Sequence, residues 1–165
     1  MERQLVQMLD GRLVPEARLT GWQSDCGASF AYSGKVMTPP ACGLSPLLAQ
    51  VRDRLETMLK VHYDSCLVNV YEDGKSGMRF HSDPLYDEWD PDTAVVSIGA
   101  TRGFMFRASA DHSQRWEYTL RSGDVVHMWA DCQERLQHSV RVEKVAEAVG
   151  VRISLVYKRR LSHTT

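Results

Sequence analysis

From residue 65 onward the chain alternates apolar and polar positions with a period of two. Seven short runs carry the pattern: "CLVNVY", "TAVVSIG", "GFMFR", "RWEYTL", "DVVHMW", "QHSVRV" and "VRISLVYK". Each is β-branched or aromatic and is bounded by Gly, Asp, Asn or Ser, the punctuation expected between strands. Ahead of them the period changes. In "SPLLAQVRDRLETMLK" the residues Leu47, Leu48, Val51, Leu55, Met58 and Leu59 fall on one face at helical spacing. Ser45 is placed to cap this helix, and Pro46 sits in the first turn, where its missing N–H is no loss. The stretch from Thr20 to Gly43, rich in Gly, Ser, Thr, Pro and aromatics, suits short strands and loops lying over a site.

One amphipathic helix followed by seven strands predicts a mostly β fold with supporting helices. The gaps between the strands are too short for the helices of a doubly wound α/β sheet. The expected core is a double-sheet jelly roll, a cupin-like double-stranded β-helix. One domain is expected over residues 1–165. In it residues 1–64 supply a support helix and a substrate-covering segment, and residues 65–160 form the jelly roll.

Composition adds limits more than direction. Hydrophobic residues make up 43% and charged residues 25% of 165 positions, ordinary values for a soluble globular chain. No apolar run approaches the roughly 18 residues of a spanning helix, so no membrane association is expected. The start, "MERQLVQMLDGRLV", does not read as a signal peptide, and an intracellular location is expected. The four cysteines (Cys26, Cys42, Cys66, Cys132) show no Cys-x-x-Cys spacing, which argues against a zinc ribbon or a redox pair and for free thiols. A net charge of −1 means that any polyanion must be held by a local patch.

Candidate chemistry begins in "GMRFHSDPLYDEWD". On an extended chain His81 and Asp83 point the same way, so one metal ion can touch both. His138, in "ERLQHSVRV", is the candidate third ligand. Two imidazoles and one carboxylate leave three positions of an octahedral metal open, the donor set of non-haem Fe(II) oxygenases. The competing reading is an Asp that caps the turn before Pro84 beside a surface histidine. On the last strand Arg152, Ser154, Val156 and Lys158 share one face, opposite Val151, Ile153, Leu155 and Tyr157. Two cations aimed into a barrel require an anionic partner, and a guanidinium suits a carboxylate fork. Solvated cations on an edge strand would give the same pattern. Asn69 and Tyr71 likewise share a face, as a polar lining or as a solvent face.

Taken in order, Asn-x-Tyr, His-x-Asp, Ser-Ile-Gly, Phe-x-Phe-Arg, Gly-Asp, His-Ser-Val and Arg-x-Ser-x-x-x-Lys resemble the AlkB-type Fe(II)/2-oxoglutarate dioxygenases, over residues 66–158. The resemblance implies Fe(II), 2-oxoglutarate and O2 as cofactor and cosubstrates, with alkylated DNA or RNA as the partner. It implies oxidative demethylation of N-alkylated bases, with loss of the oxidised methyl as formaldehyde. By the same resemblance His81, Asp83 and His138 are the catalytic iron ligands. Arg152 holds the distal carboxylate of 2-oxoglutarate, with Asn69 and Tyr71 bonding the same molecule. Ser154 stands where the family usually has Asn, and Lys158 where it usually has a second Arg near the inner carboxylate. That loses a bidentate fork.

Other departures are Leu136, where an aromatic is frequent, and a long acidic "PLYDEWDPD" that disfavours phosphate beside the iron. The covering segment is also short. Trp22 and Tyr32 are candidates to stack on a flipped base, or are ordinary core aromatics. Arg102, Arg107, Arg115, Arg121 and residues 158–160 form either a phosphate-contacting rim or a scatter of solvent-facing cations. Two rival functions stand beside demethylation. One is the same oxygenase chemistry on a protein, a small molecule or a C5-methylated base; the other is a non-catalytic cupin-like binding module.

Overall fold

The computed structural model of the protein describes residues 1–165 except 8, 9, 33, 144–148 and 162–165. All seven predicted runs are strands: β6 (Ser65–Tyr71), β8 (Trp89–Gly99), β9 (Arg102–Ala108), β10 (Arg115–Leu120), β11 (Val125–Met128), β12 (Leu136–Val140) and β13 (Arg152–Arg160). The "GMRFH" run adds β7 (Met78–His81). Two antiparallel sheets face each other. The larger has the order β11-β8-β13-β6-β3, where β3 is Leu19–Ser24, and the smaller has the order β10-β9-β12-β7. Strands distant in sequence are neighbours in both sheets, as a jelly roll requires. Two hairpins, β1 (Leu5–Gln7) with β2 (Leu13–Pro15) and β4 (Phe30–Tyr32) with β5 (Lys35–Met37), complete the strands among the described residues.

The larger sheet is buried on both faces, for two different reasons. Helix α1 (Pro46–Leu59) lays Leu48 and Leu55 on its outer face, against Cys66, Ala94, Val96, Leu155 and Tyr157. The Tyr157 hydroxyl donates to the Leu48 carbonyl at 2.9 Å, so the helix is pinned by a polar bond as well as by apolar area. Inside, Trp22, Phe30, Leu67, Trp89, Val95 and Val156 make a second cluster, and Tyr71, Phe104, Leu120 and Val140 a third. The alternation along β13 thus sends odd-numbered residues to the helix and even-numbered residues between the sheets.

Several expectations are corrected here. Leu47 and Met58 are exposed, so the buried stripe of α1 is narrower than its apolar spacing suggests. Ser45 makes no side-chain cap. Instead the Gln23 and Asp25 side chains accept from the backbone N–H groups of Ser45 and Leu44, at 2.7 and 2.8 Å. Thr20–Ser24 is not part of a cover over the site, because it pairs with β6 and widens the larger sheet. No helix of the described residues is long and apolar enough to cross a membrane.

Candidate metal and cosubstrate site

His81 ends β7 and His138 lies directly across from it on β12, in register. The two rings stand 4.2 Å apart, centroid to centroid. Asp83 follows two residues after His81, with its Oδ1 3.7 Å from the Nε2 of each histidine. One donor atom from each of the three lies within 4.8 Å of the others, the one such His/Cys/Asp/Glu cluster among the described residues.

The surroundings fix each donor. His81 Nδ1–H donates to the Arg79 carbonyl at 2.9 Å, which keeps the proton on Nδ1 and leaves the Nε2 lone pair free. Phe104 on β9 stacks on the His138 ring at 5.6 Å and 16°. Burial, with His81 alongside, pushes the His138 imidazole down to about 3, and burial lowers His81 as well. Both rings are therefore neutral at physiological pH, the form that ligates. Asp83 is held at both ends: its backbone N–H donates to Gln133 Oε1 at 2.9 Å, and Lys158 Nζ donates to its Oδ2 at 3.0 Å. Burial alone would raise this carboxyl, but the Lys158 ammonium and the two histidines hold it well below the usual carboxylate range. With Oδ2 occupied by Lys158, Oδ1 is left to face the imidazoles.

Along β13 the remaining expected groups face the same interior. Arg152 is fully buried; its Nε donates to Ser97 Oγ at 2.9 Å and its guanidinium lies over the Tyr71 ring at 5.2 Å. Its two terminal nitrogens have no hydrogen-bond partner. A buried cation with two idle donors is costly unless an anion completes it. Burial lowers the Arg152 guanidinium from its ordinary value. Asn69, Tyr71 and Ser154 line the narrow cavity between the sheets together with His81, Asp83 and His138. The donor set and the orphaned guanidinium thus fit a metal ion with a carboxylate-bearing ligand, the two groups that the sequence anticipates.

Lys158 differs from expectation. It is buried and pairs with Asp83, with Thr93 Oγ1 3.5 Å away, instead of presenting a free ammonium to a ligand. Trp22 is a core residue: its indole donates to the Ala28 carbonyl at 2.7 Å and stacks on Phe30 at 4.7 Å, leaving no face for a base. Tyr32 does line a second cavity of about 230 Å³ that adjoins the cluster, with Arg18, Phe30, Met78, Pro84 and Tyr86. Of the expected basic rim, Arg102 and Lys158 are buried and Arg159 pairs with Asp90, whereas Arg115 and Arg121 are exposed. The acidic stretch is also largely engaged. Asp90 holds Arg159, and Asp92 accepts from Tyr63 at 2.5 Å and meets His127 at 2.9 Å. Sequence reasoning missed Arg18, Ser97 and Gln133. Ser97 shares the inner face of β8 with Val95, so period two could have found it, whereas nothing local marks the other two.

Comparison with known proteins agrees with this geometry. Residues 5–160 match the family model of the 2OG-Fe(II) oxygenase superfamily. An uncharacterized protein, R406, of Acanthamoeba polyphaga mimivirus is 30% identical over 88% of this chain and 74% of that protein. The mouse alpha-ketoglutarate-dependent dioxygenase alkB homolog 3 is also 30% identical, over 87% of this chain and 52% of its own length, and its human counterpart is 28% identical. The chain therefore spans about half the length of these mammalian relatives. Among solved structures, OsALKBH1 has a similar fold, with a TM-score of 0.55 at 19% identity over 74% of this chain and 66% of that one. Members of the superfamily are oxidoreductases that use Fe(II), 2-oxoglutarate and O2. With its matching fold and its His-Asp-His cluster, this chain belongs to the 2OG-Fe(II) oxygenase superfamily and is AlkB-like within it.

Proposed function

We propose that the protein oxidatively demethylates N-alkylated bases in DNA or RNA, with His81, Asp83 and His138 holding Fe(II) and Arg152 holding the distal carboxylate of 2-oxoglutarate. Arg152 is the observation that carries the cosubstrate assignment. Its unpaired terminal nitrogens are buried beside Tyr71, which lines the same sheet-to-sheet space as the three metal donors, and a dicarboxylate would satisfy both the guanidinium and a metal. Once bound, Fe(II) and 2-oxoglutarate supply an oxygen-derived oxidant able to take hydrogen from a C–H bond. The chain itself supplies position and dryness. His81 and His138 offer Nε2, and Lys158 keeps Asp83 ionised with Oδ1 turned inward. Asn69 and Tyr71 face the cosubstrate space from β6, while Phe104 and Val140 exclude water around it.

The nucleic-acid part of the proposal rests on the likeness to the alkB homologs and on the second cavity. That cavity is walled by Phe30, Tyr32, Tyr86 and Pro84 and opens beside His81 and Asp83, a shape suited to one flat heterocycle turned out of its stack. The test is a panel of methylated DNA and RNA oligonucleotides incubated with Fe(II) and 2-oxoglutarate, followed by mass. Loss of a methyl with matching succinate supports the proposal. Turnover of peptides or small molecules alone, or oxygen gain without methyl loss, moves the substrate elsewhere while leaving the oxygenase chemistry. No 2-oxoglutarate consumption on any of them points to a binding module.

A further inference from the structure

Between the two cavities lies a network that neither the iron ligands nor Arg152 explains. Glu16 and Arg18 lie in the link between β2 and β3, and both side chains are more than nine-tenths buried. They pair at 3.2 Å. Arg18 also donates through Nε to Asn69 Oδ1 at 2.8 Å, across 51 residues of sequence. On the far side the Tyr32 hydroxyl donates to Glu16 Oε2 at 2.8 Å. Burial pushes the Tyr32 phenol up to about 12, so it remains a donor.

Arginine has five N–H donors and no acceptor, whereas an amide presents an acceptor oxygen on one side and a two-donor nitrogen on the other. The Arg18 contact therefore decides which way the Asn69 amide faces. Its oxygen must turn to Arg18, and its NH2 is left for the sheet-to-sheet cavity that Asn69 lines. A 2-oxoglutarate molecule offers only acceptors, so the opposite orientation would set oxygen against oxygen. Glu16 neutralises the guanidinium and keeps its fork in place, and Tyr32 locks Glu16 in turn.

We infer that Arg18 is a positioning residue for the cosubstrate: it orients the Asn69 amide so that Nδ2 donates to 2-oxoglutarate, and through Glu16 it ties that amide to Tyr32 in the neighbouring substrate cavity. The inference rests on the 2-oxoglutarate assignment proposed above. Its test is calorimetric binding of 2-oxoglutarate to protein loaded with Mn(II), which needs no turnover. Arg18→Met should weaken 2-oxoglutarate about tenfold, the loss of roughly one hydrogen bond, with Mn(II) affinity within about twofold of the parent. Arg18→Lys keeps the charge but not the Nε donor and should remain weak. Asn69→Asp keeps an acceptor for Arg18 and removes the NH2, so it must weaken 2-oxoglutarate at least as far; it stands in should Arg18→Met fail to fold. Parent-like 2-oxoglutarate affinity in Arg18→Met or Asn69→Asp overturns the inference, as does full recovery in Arg18→Lys. In each of those cases the parent still binds 2-oxoglutarate, which leaves the proposed function standing. A parent that binds none overturns both.

Discussion

Replacing Lys158 by Met removes the ammonium that holds the Asp83 carboxylate and lies 5.9 Å over the Phe30 ring, while keeping most of the apolar stem. The pair is 3.0 Å apart, with side-chain exposures of 1% and 10%, so water screens it little. At an effective dielectric constant of about 20, the attraction at that distance is about 5 kcal/mol, partly offset by the desolvation that the ammonium no longer suffers. Breaking a buried pair by removing one partner typically destabilises by about 3–5 kcal/mol, because the other charge is left uncompensated. That is a large share of the roughly 5–15 kcal/mol that holds a domain folded. A divalent metal on Asp83 replaces the missing charge, so the loss should shrink in the metal-bound protein. By linkage, each 1.4 kcal/mol of that difference tightens metal binding about tenfold. The assay is guanidinium unfolding of parent and Lys158→Met protein in chelator, paired with Mn(II) titration in the absence of 2-oxoglutarate. A drop of several kcal/mol without metal, together with at least tenfold tighter Mn(II), is the expected result. Metal-free stability within about 1 kcal/mol of the parent, or weaker Mn(II) binding, would refute the assignment of Lys158 as the partner of Asp83.

Acid should destabilise the metal-free protein through His138. Its folded value of about 3 lies below the unfolded value near 6.5, so between those limits the unfolded chain binds a proton that the fold refuses, and stability rises with pH. About 2 kcal/mol should be lost on going from pH 7 to pH 5, with Asp83 adding loss of the same sign below about pH 4; urea unfolding of parent against His138→Gln at both pH values isolates the histidine share. Gln133→Leu removes the acceptor for the Asp83 N–H, and metal affinity should fall about tenfold with little change in the far-ultraviolet circular dichroism spectrum. Gly99, at φ +88°, sits across from Arg152, and a Cβ there would run into the Val151 carbonyl. Gly99→Ala should therefore lower the melting temperature, by an equivalent of about 1–3 kcal/mol, and weaken 2-oxoglutarate binding; an unshifted melting temperature would show that the turn relaxes freely.

The predicted elements and the structure part company in instructive places. "RWEYTL" and "VRISLVYK" alternate equally well, yet β10 is an edge strand exposed at all but one residue and β13 is central and buried on both faces. Alternation says that two faces differ, but not what covers them. In "TGWQSDCG" the turn-forming composition outweighed the strand pattern, and pairing with β6 restored it. The helix stripe was overestimated because apolar spacing does not say how wide the opposing surface is.

The proposed metal ligands and Arg152 could be singled out as candidates because each sits at a fixed phase of a local repeat. His81 and Asp83 are two apart, and Arg152 is in step with Ser154 and Lys158. Lys158 pairing with Asp83, and Arg18 reaching Asn69, were not legible, since each joins residues brought close only by strand order.

From sequence alone, then, came the mostly β class, the two-residue phase of each strand and the kinds of side chain turned inward, because backbone geometry makes these local properties. Tertiary structure alone decided which strands are neighbours. Strand order brings His138 opposite His81 and Asn69 opposite Ser154, and it buries Lys158 against a carboxylate. Charge and hydrogen-bond energies act over a few ångströms, so the partner of each buried polar group is fixed only once the sheets have closed on each other.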